Sequence, residues 1–169
     1  MVELATRVNV SFQQVTADLS PLSADAAPPS TDPFSTEFAI DQGEVARKLS
    51  EIKIYKAPGP DGLPNWILRD FSAALAEPVS AIYNASVREG FVSPCWKDAT
   101  IIPVPKVHPL RSIQSDLRPI SLTATLAKLL ESFVGSWILD QVTSKLYDRQ
   151  YGALKRGSTT HALVDMVHH

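Results

Sequence analysis

Proline placement is the feature that most constrains how this chain can fold. Residues 56–64 read KAPGPDGLP, so three prolines and two glycines fall within nine positions. Proline fixes its own φ angle and disfavours a helical residue before it, so a helix that reaches Pro58 has to end there. The stretch is therefore predicted to be a stiff loop. It is either a tight connector or a loop held in one shape so that its backbone approaches another group closely.

Apolar periodicity predicts helices on both sides of this loop. Asp41 and the glutamate three residues later have the spacing of a capping box, and an apolar helical face follows them. After the loop the period resumes near Asn65 and runs to Gly90, a residue type common just beyond helix ends. A long amphipathic helix capped by Thr123 is predicted next, and the chain ends in another, capped by Ser158.

Two β-prone runs lie between these helices, at residues 99–104 and 117–123. Pro103 and Pro105 cannot donate ladder hydrogen bonds, which confines the first run to an edge strand or a strand end. The two runs are predicted to pair as a hairpin whose loop of about ten residues is longer than usual. The predicted fold class is α+β, helix-dominated, with one short antiparallel hairpin.

Composition excludes several classes of protein. Apolar residues make up 44% of the chain and charged residues 20%, as in ordinary globular proteins, and the net charge of −2 gives no sign of a polyanion or membrane partner. Cys95 is the only cysteine, so neither an internal disulfide nor a cysteine-based zinc site can form. The sequence shows no secretory signal and no membrane span of roughly 18 apolar residues. We expect a soluble intracellular protein, with a nuclear location left open.

Two basic side chains are the strongest candidates for chemistry on the residues alone. Lys106 follows the first strand and Arg118 opens the second, so strand pairing would bring both to one end of the hairpin. A planar guanidinium beside a compact ammonium suits a polyphosphate. The alternative, which spacing alone favours, is a pair of solvated surface charges. In the loop, Gly59 and Gly62 are predicted to allow positive φ or close backbone approach, and Asp61 to cap the next turn.

Three sequence motifs occur together in one order. They are KAPGPDGLP at 56–64, WKDATIIPVPK continuing into DLRPISL at 96–122, and QYGALK continuing into STTHAL at 150–163. As a set they resemble the N-terminal part of the reverse transcriptase domain of non-LTR (LINE-type) retrotransposons. The resemblance implies a partial right-hand polymerase in which residues 37–169 form the fingers subdomain with an incomplete palm. Residues 1–36 are then expected to form an extended linker arm.

The resemblance also implies roles for single residues. Lys106 and Arg118 match basic residues on the fingers hairpin that contact the triphosphate of the incoming dNTP. Gln150 and Gly152 match a motif close to the templating base and the nucleotide. The KAPGPDGLP loop matches a segment near the template strand. Its template-facing residues are expected to be Lys56, Pro58, Gly59, Pro60, Asp61 and Gly62.

The metal-binding residues of such polymerases are expected beyond the last residue of this sequence. The family carries one aspartate on a strand after the STTHAL helix and two more in a Tyr-x-Asp-Asp turn, which position two Mg²⁺ ions. No two adjacent aspartates occur in this chain. No catalytic residue, metal ligand or cofactor is therefore assigned here, and Mg²⁺ is expected only for a complete enzyme.

The expected function is that of a fragment of an RNA-directed DNA polymerase that is inactive alone. Its partners in a complete enzyme would be an RNA template, a DNA primer and a dNTP, with no membrane involved. Whether the chain by itself is an enzyme is left open, as is its oligomeric state. The alternative is a non-catalytic nucleic-acid-binding or interaction module derived from a retroelement. A third interpretation is the product of a decaying open reading frame with no selected role.

Overall fold

Helices dominate the structure, and its strands form one two-stranded antiparallel sheet in the part of the chain described here. This computed structural model describes residues 2–14, 17–20, 38–146, 150–152 and 157–168. The helix-dominated α+β class predicted from sequence is confirmed. None of the helices within these ranges is both long enough and apolar enough to cross a membrane. In chain order the elements are α1 (Val2–Gln13), α2 (Gln42–Ser50), α3 (Asn65–Asp70), α4 (Ser72–Glu89), α5 (Pro94–Lys97), β1 (Ala99–Pro105), α6 (Ile113–Asp116), β2 (Leu117–Thr123), α7 (Thr125–Val142), a 3₁₀ turn (Thr143–Lys145) and α8 (Thr159–His168).

The chain divides into two compact units, residues 1–131 and residues 132–169. The first unit holds α1 to α6, the hairpin of β1 and β2, and the first part of α7. The second unit holds the rest of α7, the 3₁₀ turn and α8.

The N-terminal residues differ from the extended arm that was expected. Residues 2–13 form α1, which contacts α6, and Val8 on this helix is buried. This segment contains neither proline nor glycine, so nothing in it interrupts a helix, and the proline-rich composition that suggested an arm begins further along the chain. Residues 21–37, which include the predicted domain boundary, lie outside the described residues. The division into arm and fingers portion stays a prediction.

The core of the first unit is formed mainly by α2 packed against α4, with α3 beside them. The helix α2 starts at the predicted cap, where Asp41 Oδ2 accepts a hydrogen bond from Glu44 N–H at 2.9 Å. Val45 and Leu49 of α2 and Tyr83 of α4 are fully buried. Removing side chains of this size from water contributes about 1.5–3 kcal/mol each, so this contact stabilises the unit.

The helical stretch predicted from Asn65 to Gly90 is interrupted once. Phe71, with φ −103° and ψ 20°, separates α3 from α4, although its N–H still donates to Ile67 O at 3.1 Å. Pro78 lies inside α4. Gly90 ends α4 with φ +62°, the left-handed conformation that glycine adopts most easily, which confirms the predicted helix end.

The two β-prone runs form the predicted hairpin. Their antiparallel register runs from Ala99 opposite Thr123 to Pro105 opposite Leu117. Every side chain of β1 is exposed, whereas Leu117 at the start of β2 is buried. Both strands of a two-stranded sheet are edge strands, so Pro103 and Pro105 are accommodated without the loss of an inner ladder hydrogen bond.

The starts of the last two helices compare differently with the predicted caps. The helix α7 begins later than predicted, because Thr123 is still paired across the hairpin and the first helical hydrogen bond joins Lys128 N–H to Ala124 O at 3.2 Å. In the second unit Ser158 caps α8 as predicted. Its Oγ accepts a hydrogen bond from His161 N–H at 3.2 Å.

Candidate functional site

The hairpin register sets the two predicted cations on one face of the hairpin at its loop end. Lys106 N–H donates to Asp116 O at 2.7 Å, which continues the strand pairing one step beyond β1 and β2. Arg118 stands opposite Val104. Residues two apart on a strand share a face, so Lys106 and Arg118 occupy diagonal positions on the same face.

The two cations differ in what they already contact. The Nζ of Lys106 donates a hydrogen bond to the carbonyl oxygen of Ser115 at 2.8 Å. Arg118 is exposed and forms no hydrogen bond or ion pair with any residue that the structure describes. Because an ammonium has three donors, Lys106 retains two for another partner, whereas the whole guanidinium fork of Arg118 is available.

Asp116 organises the loop between the strands. Its Oδ2 accepts hydrogen bonds from Arg111 N–H and Ser112 N–H, both at 3.0 Å, and its Oδ1 accepts one from Ser115 Oγ at 2.8 Å. The Ser115 bond, followed by the two backbone bonds, lowers the pKa of the Asp116 carboxyl, and the charge of Lys106 acts in the same direction. The carboxylate is therefore ionised at neutral pH.

The Asp116 carboxylate reduces the positive charge that the loop end of the hairpin presents to an anion. Its negative charge faces Lys106 and offsets part of that residue's attraction for a phosphate. Arg118, in contrast, forms no hydrogen bond or ion pair with an acidic residue among those that the structure describes. Of the two cations, Arg118 is thus the one whose positive charge is less offset by a hydrogen-bonded or paired carboxylate. Sequence reasoning missed Asp116, although a serine-rich stretch ending in aspartate is typical of a side-chain-capped turn.

Gly59 shows what the KAPGPDGLP loop approaches. A Cβ added to Gly59 would lie 2.5 Å from Ala124 N and 2.7 Å from the carbonyl carbon of Thr123, and it would overlap Ala124 Cα as well. Only glycine allows such a close approach of backbone to backbone. The loop is therefore packed against the junction of β2 and α7, which combines the two interpretations of this stretch: it connects two helices and its backbone is held against another segment.

The other loop residues of interest face solvent. Gly62 has φ +64°, as predicted for a glycine in this loop, and its N–H donates to Gly59 O at 3.1 Å. Asp61 Oδ1 accepts a hydrogen bond from Leu63 N–H at 3.3 Å, which confirms the predicted cap of the next turn. The exposed members of the predicted template-facing set are Lys56, Pro58, Pro60, Asp61 and Gly62.

Asn65 holds the loop and two helices together, and sequence reasoning had treated it only as a helix start. It is buried, with 4% of its surface exposed. Its Nδ2 donates to Lys56 O at 3.0 Å and to Lys53 O at 3.4 Å, and its Oδ1 accepts from Thr125 Oγ1 at 2.7 Å. These bonds join the loop, the start of α3 and the start of α7. The only sequence signal was a polar residue beside the loop at the edge of an apolar helix.

The two remaining predicted nucleotide contacts, Gln150 and Gly152, belong to the second unit. Both are exposed, and Gln150 Nε2 donates to Gly152 O at 2.9 Å. Their role stays a prediction. Among the residues that the structure describes, no group of three or more His, Cys, Asp or Glu side chains is arranged to hold a metal ion.

Comparison with known proteins relates the chain to polymerases of mobile elements. It is 30% identical over 127 residues, 74% of its length, to a probable RNA-directed DNA polymerase from transposon BS of Drosophila melanogaster. It is 28% identical over 116 residues, 68% of its length, to the RNA-directed DNA polymerase from mobile element jockey of the same species. A Pol polyprotein from a type-1 retrotransposable element of Bradysia coprophila is 29% identical over 96 residues, 56% of the chain. No protein-family model matches the chain.

These relatives are much longer than this chain, which spans 14%, 13% and 10% of their respective lengths. The similarity confirms, over part of the chain, the resemblance to reverse transcriptases of retroelements. It extends over a region of the sequence and does not by itself assign roles to single side chains.

Proposed function

We propose that this chain is part of an RNA-directed DNA polymerase of a non-LTR retrotransposon and that it forms the fingers subdomain. In this role it binds the triphosphate of the incoming dNTP at the loop end of the hairpin. The observation that carries the proposal is the register that sets Lys106 and Arg118 diagonally on one face. The similarity to polymerases of three mobile elements supports the class of protein.

In the proposed complex the guanidinium fork of Arg118 donates to two phosphate oxygens, and the free donors of Lys106 add a third contact. Gln150 and Gly152 lie near the templating base, and the exposed side of the KAPGPDGLP loop faces an RNA template paired with a DNA primer. We assign no catalytic residue and no metal ligand to this chain. Mg²⁺ belongs to the complete enzyme.

In a longer polymerase that carries this sequence, Arg118→Ala is expected to raise the KM for dNTP by roughly 10- to 100-fold. Hydrogen bonds to charged groups contribute about 1.5–3 kcal/mol, and the substitution removes the available fork. Primer extension measured as a function of dNTP concentration gives the KM directly.

Arg88→Ala is the matched control. Arg88 is an exposed arginine at the end of α4 whose guanidinium lies 3.8 Å from Glu89, so its removal deletes the same charge elsewhere in the first unit. The control is expected to keep the wild-type KM. An unchanged KM for dNTP in the Arg118 variant would contradict the proposed nucleotide site.

A non-catalytic nucleic-acid-binding module derived from a retroelement is the second candidate, favoured by the group of basic side chains described below. On that alternative the chain binds RNA, whereas Arg118→Ala leaves nucleotide binding unaffected. Comparing nucleotide binding in the Arg118→Ala and Arg88→Ala variants therefore distinguishes the two functions.

A further inference from the structure

A second group of basic side chains lines a cavity of about 450 Å³ in the first unit. The cavity lies between the end of α2, the KAPGPDGLP loop and the start of α7, and we call it the basic cleft. Glu51 is the acidic side chain among its described lining residues. The basic lining residues are Arg47, Lys48, Lys53, Lys56 and Lys128.

Three of these five positive charges have no partner among the residues that the structure describes. Arg47 Nη1 pairs with Glu51 Oε1 at 3.0 Å, an exposed pair one helical turn apart that accounts for the acidic residue. The side chains of Lys53, Lys56 and Lys128 are exposed and form no hydrogen bond or ion pair with described residues. Like charges gathered in this way repel each other, and a bound anion relieves that repulsion.

The floor of the basic cleft is fixed by hydrogen bonds. Asn65 accepts from Thr125 Oγ1 at 2.7 Å and donates to the backbone oxygens of Lys53 and Lys56, which hold the segments that carry these two lysines. Lys128 lies one turn along α7 from Thr125 and therefore on the same side of the helix. The cations are thus attached to segments joined through one buried amide.

We propose that the basic cleft binds the sugar–phosphate backbone of a single RNA strand. The inference rests on the proposed function, in which the polymerase reads an RNA template. Apart from Lys56, the basic residues of the cleft are ones to which the resemblance gives no role. Lysine ammonium groups act as point charges and suit successive phosphates, which position a strand without reading its sequence. The apolar lining residues Ile52 and Leu129 offer a surface for the sugars.

The test uses the full 169-residue chain and a fluorescently labelled single-stranded RNA of mixed sequence, with affinity read by fluorescence anisotropy. A double variant, Lys53→Gln with Lys128→Gln, keeps a polar side chain with part of the aliphatic stem at each position and removes two positive charges of the cleft. We expect it to weaken RNA binding roughly tenfold at about 50 mM salt. We also expect the negative slope of log affinity against log salt to become shallower by about 1.4, since each phosphate contact on a single strand contributes about −0.7 to that slope.

Arg88→Gln with Lys97→Gln is the matched control, because it removes two exposed positive charges of the same unit outside the cleft. It is expected to change RNA affinity by less than twofold. Equal weakening in both double variants would show that only net charge matters and would overturn the proposal. Circular dichroism melts of both variants establish that each is folded.

Two further arms separate the possible outcomes. If the cleft variant binds RNA normally but loses binding of inorganic triphosphate, the cleft is a site for free phosphate groups and the RNA proposal is wrong. Arg118→Ala is expected to leave RNA affinity within twofold of wild type while nucleotide binding falls. A failure of the cleft proposal is therefore distinguishable from a failure of the nucleotide site.

Discussion

At the scale of the residue, Gly59 and Asn65 decide how the KAPGPDGLP loop is held. Gly59 lets the loop backbone reach Ala124, and Asn65 ties the loop carbonyls to Thr125. Both contacts are made to residues about sixty positions away in the sequence. The prolines restrict the backbone of the loop, and the loop conformation fits the junction of β2 and α7.

Gly59→Ala is expected to destabilise the chain by roughly 1–3 kcal/mol, because the added methyl would overlap backbone atoms rather than a movable side chain. Urea unfolding followed by circular dichroism measures the change. Gly135→Ala is the control, since a Cβ there meets nothing within 4 Å inside α7, and alanine is expected to stabilise that helix by about 0.5–1 kcal/mol. Equal stability of the Gly59 variant and the wild type would contradict the close approach.

At the scale of the element, the hairpin shows how a short helix shapes a long loop. The loop between β1 and β2 contains α6, and the Asp116 carboxylate accepts hydrogen bonds from Arg111, Ser112 and Ser115. These bonds order the loop end at which Lys106 and Arg118 lie. The same carboxylate also limits how strongly Lys106 attracts an anion.

Asp116→Asn is expected to speed amide hydrogen exchange at Arg111 and Ser112, because the charged acceptor of both N–H groups is lost. The pKa of Asp116 is lowered by folding, so its contribution is present above the ordinary value of 3.8 and is lost as the pH falls through the lower folded value. NMR exchange at several pH values measures both effects. Asp98→Asn, at an exposed residue without a described partner, should change neither; wild-type exchange in the Asp116 variant would exclude the ordering role.

At the scale of the whole molecule, Tyr83 links elements that are distant in sequence within the first unit. Its ring is fully buried on α4 and lies edge-on to Trp96, with ring centroids 5.6 Å apart and planes at 68°. Its hydroxyl donates to Leu126 O on α7 at 2.7 Å. Burial raises the pKa of Tyr83 above its usual range.

Tyr83→Phe is expected to lower the free energy of unfolding by about 1 kcal/mol near neutral pH, because the hydrogen bond to Leu126 is lost. A raised folded pKa means that the wild-type contribution is full below the ordinary value of about 10 and is lost as the pH rises through the folded value. The variant should lack this alkaline loss in urea titrations across pH. Tyr55→Phe, at a tyrosine that is 96% exposed, should behave like wild type; an alkaline loss retained by the Tyr83 variant would assign it to other groups.

Charge is a second property that only the folded molecule reveals. The net charge of −2 suggested no affinity for a polyanion, yet five basic side chains line the basic cleft with Glu51 as their acidic neighbour among its described lining residues. Composition averages charge over the chain, whereas binding depends on the charges that folding brings together.

The sequence by itself determined the local features of this protein. Asp41 and Ser158 cap their helices, Gly90 ends α4, and the β-prone runs pair with the prolines accommodated at the edges, because each of these outcomes depends on neighbouring residues and on backbone limits. The motifs also predicted the relationship to mobile-element polymerases that the comparisons confirm over part of the chain.

Only the tertiary structure decided the contacts between distant segments. It set Gly59 against Ala124, buried Asn65 between a loop and two helices, and placed Lys128 beside the other basic residues of the basic cleft. No local pattern specifies such partners, because they arise when helices and strands bury their apolar faces together and the polar groups left at the contacts find one another.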